Sequence, residues 1–211
     1  MIFPPFFSDA SSDVSFVGVE SASDDSTLEI SRPAGVQEND LLVLFLCRDL
    51  NTIPLPAPSG FTSVSSGGTG SARGNLCFKV ASASEPSSYV VASSTTRPYG
   101  ILAAFRGVGG DNSTGAAFSS TTTQEFTIPS FTAGKPGALF VAIVQAGNTN
   151  FVSPPPGVLL LDSLVSSRGT ARAELYAAAP ASGGVKPDIN MSFTASSLHS
   201  VFAVQSQFEV A

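Results

Sequence analysis

Apolar residues along this chain come in short runs or in strict alternation, rich in Val, Ile, Phe and Thr, and each run stops at Gly, Pro, Ser or Asn. No stretch sustains a helical period. The pattern predicts an all-β chain, an antiparallel β-sandwich of jelly-roll-like or immunoglobulin-like kind. Strands are expected near residues 14–20, 27–31, 41–47, 61–65, 75–81, 88–93 and 100–106. A second series follows near 115–119, 125–128, 138–145, 158–165, 171–179, 189–194 and 200–210.

Two kinds of strand stand out. Leu28-Glu29-Ile30 and Phe126-Thr127-Ile128 alternate, as a strand with one wet face does. Leu41-Leu42-Val43-Leu44-Phe45-Leu46 and Leu139-Phe140-Val141-Ala142-Ile143-Val144 are apolar at every position and must be covered on both faces. In a sandwich one face of each sheet meets the other sheet, so these runs require a further cover: a loop, the other half of the chain or another chain. Proline-rich stretches, residues 53–58 and 153–156, follow both runs. They cannot donate ladder hydrogen bonds and are expected as stiff, extended connections that blunt a sheet edge.

The series is doubled because the sequence resembles itself. A shift of 97 positions lays Leu42 on Leu139, Asn51-Thr52 on Asn148-Thr149, Pro58 on Pro155 and Gly60 on Gly157. The same shift sets Leu76 to Ala81 on Ala173 to Ala178, and a shift of 100 sets Tyr99-Gly100-Ile101 on His199-Ser200-Val201. Two tandem repeats of about 100 residues are therefore expected, one near 14–108 and one near 115–211, after an N-terminal arm, 1–8. Between them Val108 to Gly115 reads as a turn-rich linker. Either each repeat closes into its own sandwich, or the two pair their most apolar strands into one sandwich with internal pseudo-twofold symmetry. The single sandwich, residues 1–211, is favoured because complementary halves explain the doubly covered strands.

Composition narrows the function. Hydrophobic residues make up 43% of the 211 and charged residues only 12%, so surfaces covered by neighbours are expected. A net charge of -6 and the lack of a basic stripe argue against a nucleic-acid partner. No apolar run is long enough for a membrane-spanning helix, and the start lacks the charged n-region of a secretion signal, so a soluble chain made in a cytoplasm is expected.

Candidate chemistry is sparse. Cys47 and Cys77 both fall in the first repeat; buried free thiols are expected, with a disulfide the alternative if their strands are neighbours. His199 is the only histidine and takes the place of Tyr99 under the 100-residue shift, which points to a structural slot and away from a triad. The glycine-rich Gly67 to Gly74 lacks the Lys-Ser/Thr ending of a phosphate loop and reads, like Ser166 to Thr170, as a hairpin turn. Asp9, Asp13, Asp24, Asp25, Glu38 and Asp40 match no calcium loop and read as solvated surface. Asn112-Ser113-Thr114 and Asn190-Met191-Ser192 fit a glycosylation pattern that means little without a secretory route. Neither a cofactor nor a metal is expected. The arm is the one candidate interaction element: Ile2, Phe3, Phe6 and Phe7 flank two prolines and would be costly to leave in water, folded back on the chain or docked on another subunit.

One succession of motifs is more specific. Asn39-Asp40-Leu41-Leu42-Val43, Pro58-Ser59-Gly60-Phe61-Thr62, Phe78-Lys79-Val80-Ala81, Glu85-Pro86-Ser87-Ser88-Tyr89 and Ala103-Ala104-Phe105-Arg106-Gly107-Val108 follow one another at strand-and-turn spacing. This resembles a group of bacteriophage and prophage virion-associated β-sandwich proteins. Phe78 and Phe105 stand where that group more often has tyrosine, and Phe61 where it has tryptophan. The resemblance covers residues 39–108 well and the second repeat in outline. It implies a virion location, in a chain without enzymatic activity. The expected role is a capsid decoration or cement protein, homo-oligomeric or multi-copy on the particle, with the major capsid protein or other virion subunits as partners. The alternative is a tail or fibre component that binds host-surface glycans.

Overall fold

The computed structural model describes residues 14–49, 53–92, 97–123, 125–147, 155, 157–181, 184–193 and 199–210. The described chain is all-β, without a helix. In its first half run β1 (Ser15–Ser23), β2 (Thr27–Ser31), β3 (Leu41–Arg48), β4 (Thr62–Thr69), β5 (Ala72–Val80), β6 (Ser88–Ala92) and β7 (Pro98–Arg106). The second half holds β8 (Val108–Thr123), β9 (Glu125–Ile128), β10 (Phe131–Ala133), β11 (Gly137–Ala146), β12 (Leu159–Val165), β13 (Ala171–Ala181), β14 (Gly184–Lys186), β15 (Ile189–Ser192) and β16 (His199–Val210). Residues 1–13, with the arm residues Ile2, Phe3, Phe6 and Phe7, lie outside the described residues.

Two five-stranded antiparallel sheets form the body, ordered β1-β7-β3-β5-β4 and β12-β13-β11-β16-β8. Read from the opposite edge, the second order repeats the first with β8 for β1, β16 for β7, β11 for β3, β13 for β5 and β12 for β4. Two-stranded pairs, β2 with β6 and β9 with β15, complete each half, and β10 pairs with β14.

Apolar alternation decides where each strand lies. Leu41, Val43 and Phe45 of β3 and Ile101, Ala103 and Phe105 of β7 face Phe140, Ala142 and Val144 of β11 and Phe202, Val204 and Phe208 of β16 in one core between the sheets. The opposite faces of the same strands carry Leu42, Leu44, Leu46, Leu102 and Ala104, which Leu28, Ile30, Tyr89 and Val91 of the β2–β6 pair cover together with Leu55 and Phe61. Val141, Ile143, Tyr176, Val201 and Ala203 are likewise covered by Phe126, Ile128, Ile189 and Met191 of the β9–β15 pair, with Phe193. The continuous runs are thus clad on both faces by this chain's own alternating strands. Leu28 and Ile30 are buried in β2 while Thr27, Glu29 and Ser31 stay exposed.

Three expectations change. Residues 108–115 are no linker: they open β8, which pairs with β16 from Val108 opposite Val210. Val108 belongs to the central core, and a Cβ on Gly110 would come within 2.8 Å of Val80, so that glycine serves close approach, not a turn. Gly107, with φ 78, makes the reversal.

The pairing of the two halves also shifts. Val64 and Leu161 are the bulge residues of β4 and β12, and the residues after them, Ser65 and Asp162, pair with Leu76 and Leu175. Leu76 therefore corresponds to Leu175, not to Ala173, because the second hairpin turn is longer: Gly68 pairs with Arg73, whereas Val165 pairs with Arg172. Lastly, Tyr99 lies opposite Cys47, and the residue opposite Val144, which stands 97 positions after Cys47, is Phe202. Phe202 fills the slot of Tyr99; His199 only opens β16, opposite Thr123.

Candidate functional site

The motifs that carry the family resemblance meet at one end of the first sheet, where they form two clamps. Asp40 closes the turn before β3 by accepting from the Gln37 N–H at 2.7 Å, while its two oxygens take the Nε and Nη2 of Arg106, each at 2.9 Å. Arg106 Nη2 also donates to Gly35 O at 3.0 Å. The fork geometry makes this pair specific to arginine, and the hydrogen bonds that Arg106 donates to Asp40 hold the guanidinium pKa above its ordinary value.

The second clamp centres on Glu85. Lys79 Nζ donates to it at 2.5 Å, the Ser82 N–H at 2.8 Å, the Tyr89 hydroxyl at 2.8 Å and the Ser82 hydroxyl at 3.1 Å. Burial pushes the Glu85 carboxyl up, but these four bonds outweigh it and hold the group below the usual glutamate value. Burial and the Glu85 bond together raise the Tyr89 phenol, so it remains a neutral donor. The Tyr89 ring meets Phe61 edge-on at 5.1 Å, and Arg32 ties down Glu85 O at 2.7 Å. These bonds brace the turns before β3 and between β5 and β6, so the motifs act as a frame for them.

The opposite end joins the two halves. Asp49, fully buried just after β3, accepts from Thr170 of the β12–β13 turn and lies 3.7 Å from Arg97 Nη1. Ser167 of the same turn donates to Asp25 at 2.7 Å, and the Gly147 N–H donates to Thr170 O at 2.6 Å. The sequence reading missed this polar seam. Its one signal was the pair Arg48-Asp49 directly after a run of seven uncharged residues, Leu41 to Cys47.

The second half carries its own buried polar groups. Glu174 takes Arg172 Nε at 3.0 Å and the Tyr176 hydroxyl, with Ser163 at 3.4 Å. Gln205 and Gln207 of β16, both fully buried, donate to Pro129 O and, at 2.6 Å, to Lys135 O. They pin the connections beside the β9–β15 and β10–β14 pairs. A shallow groove of about 370 Å³ crosses β9 and β15 between Glu125, Thr127, Asn190 and Ser192, over Phe126 and Met191.

The remaining candidates are dispersed. Cys47 and Cys77 are free and buried, Cys47 in the central core and Cys77 in the outer one, and burial alone pushes the Cys77 thiol up to about 12. Asp24 and Asp25 sit at the end opposite Asp40, so among the described residues these carboxylates do not gather; Asp9 and Asp13 lie outside the described residues. Asp24 folds into its own turn, accepting from the Ser26 and Thr27 N–H groups, which lowers its pKa. Among the described residues no three of His, Cys, Asp and Glu come together as metal ligands. The turn expected at Gly67 to Gly74 is the β4–β5 hairpin, closed by Gly70-Ser71. Of the glycosylation patterns, Asn112 lies within β8 and Asn190 within β15.

No family model, no curated protein and no solved structure matches the chain.

Proposed function

We propose that this chain is a non-enzymatic structural subunit of a bacteriophage particle, a capsid decoration or cement protein that binds the assembled shell in many copies. Its partners are the major capsid protein or other virion subunits, and the arm residues Ile2, Phe3, Phe6 and Phe7 are its docking element. The observation that carries this reading is the fate of the motif residues. Asp40, Lys79, Glu85, Tyr89 and Arg106, which give the chain its resemblance to virion proteins, are spent on self-bracing clamps. A subunit that works by packing needs that rigidity.

We further infer that the halves arose by tandem duplication of one unit. The matching strand orders support it, as do bulges at Val64 and Leu161 and left-handed turn glycines at Gly60 and Gly157, φ 84 and 74, each pair 97 positions apart.

Quantitative mass spectrometry of purified particles tests the role. A decoration protein is present at a copy number comparable to the major capsid protein; a handful of copies, or none, removes the shell assignment. The groove across β9 and β15 favours one second reading, a tail component that holds host glycans, and in that case saccharide binding is lost on Asn190→Ala.

A further inference from the structure

We propose that the corner where β12 begins, carrying Leu159 and Leu160, is the surface on which the N-terminal arm of a second copy of this chain docks. The inference rests on the multi-copy reading above and names the arm's partner. β12 is the edge strand of the second sheet, and Leu159 and Leu160 are each 45% exposed. Being adjacent in a strand, they stand on opposite faces of that edge. The first half shows what the matching place holds when it faces water. Its edge strand β4 carries the matching bulge, and the two residues before it are Thr62 and Ser63, both exposed. β4 thus begins Thr62-Ser63-Val64-Ser65-Ser66, and β12 begins Leu159-Leu160-Leu161-Asp162-Ser163. Edge strands are ordinarily kept polar, because an apolar edge invites another chain. One half obeys that rule and the other departs from it.

The arm is the occupant that fits. Ile2, Phe3, Phe6 and Phe7 need apolar cover, and the corner is apolar surface beside the place where the arm joins the fold. Val14, the first described residue, shares the central core with Ala177, the residue paired with Leu159. Beyond the far ends of β1 and β12 the Ser167 hydroxyl donates to Asp25, so the two strands lie alongside each other and run the same way. β1 continued backwards therefore points off its own corner, toward a neighbour. Residues 8–13, Ser-Asp-Ala-Ser-Ser-Asp, are a polar spacer that can span ~20 Å, which brings the apolar block at 2–7 within reach of the next copy's corner. Pro4 and Pro5 reduce the entropy lost when that block is held in place. Each contact joins an arm to a corner, so copies associate head to tail, the geometry that closes a ring or propagates over a surface.

Sedimentation equilibrium of the full chain at concentrations up to about 1 mM, where a contact of this size is populated, tests the docking. The wild type is expected to show a mass that rises with concentration. Leu159→Thr with Leu160→Ser, which installs the residues of β4, should keep the urea midpoint and weaken association about tenfold or more, and so should deletion of residues 2–8. Mixed one to one, these two variants should form a dimer that grows no further, since one supplies the only arm and the other the only intact corner. In a second measurement Phe6→Cys in one copy and Leu160→Cys in another should cross-link on oxidation, whereas Phe6→Cys with Ser63→Cys, at the matching place of β4, should not. Cys47 and Cys77 are buried and stay out of that reaction. A wild type monomeric throughout the range, a mixture that stays monomeric, or a cross-link that forms only within a single chain carrying both cysteine substitutions would overturn the proposal. Association that survives loss of the arm would mark corner-to-corner pairing and overturn it too. If association needs the arm but not the leucines, the corner is wrong while the arm still docks; copy number on particles tests that broader reading separately.

Discussion

Phe202 and Phe45 both close on the backbone of Gly74. A Cβ on Gly74 would lie 2.7 Å from Phe202 Cδ1 and 2.8 Å from Phe45 Cε2, with neither ring free to retreat inside a packed core. Gly74→Ala is therefore expected to destabilise the chain by about 1–3 kcal/mol, the usual cost of overpacking, read as a lower urea midpoint at unchanged m-value. At the other end Glu85 supplies a pH signature. Its folded-state pKa lies below the ordinary 4.5, so the unfolded chain takes up the proton first. The stability it confers is whole above about pH 4.5 and is lost as pH falls through the folded value. Glu85→Gln should flatten the acid limb of a stability-against-pH curve below pH 4.5. An unchanged slope would show that the clamp does not hold the ionised group.

At the scale of elements, the strands were legible and their pairing was less so. β2 and β9 fall on their expected ranges, 27–31 and 125–128, because strict alternation between turn residues leaves a strand no other frame. The fully apolar β3 and β11 were placed correctly too, and their double covering followed from the absence of any polar face. Register between the halves was not legible from sequence. Identity fades in β5 and β13, and an extra length of turn, Ser166 to Thr170, is invisible unless the ladders are counted. Gly109 and Gly110 misled for a related reason. Glycine marks a turn and a close approach alike, and only Val80 lying against Gly110 tells them apart. The buried glutamines and the Asp49 seam were missed because a lone polar residue in a strand gives no sign of which backbone atom it will meet.

The elements are joined by aromatic contacts between the sheets and within them. Phe140 of β11 meets Phe105 of β7 edge-on at 4.9 Å and Phe208 of β16 at 5.4 Å. Phe140→Ala should cost about 3–5 kcal/mol, as should Phe45→Ala. A double-mutant cycle on Phe105 and Phe140 should return a coupling of about 0.5–1.5 kcal/mol, against a value near zero if each ring served only its own sheet.

For the molecule as a whole, the consequence is that neither half encloses a complete core. Each outer face has its own two-stranded cover, but among the described residues the inner face of one five-stranded sheet is closed by the other. The fragments 1–107 and 108–211, produced separately, would each expose a sheet face carrying Phe45 and Phe105, or Phe140 and Phe208. Sedimentation and urea unfolding of the separate and the mixed fragments measure this directly. The expected result is that neither fragment alone is a folded monomer, and that refolding the two together restores one cooperative transition. A monomeric fragment that unfolds cooperatively by itself would contradict the shared core.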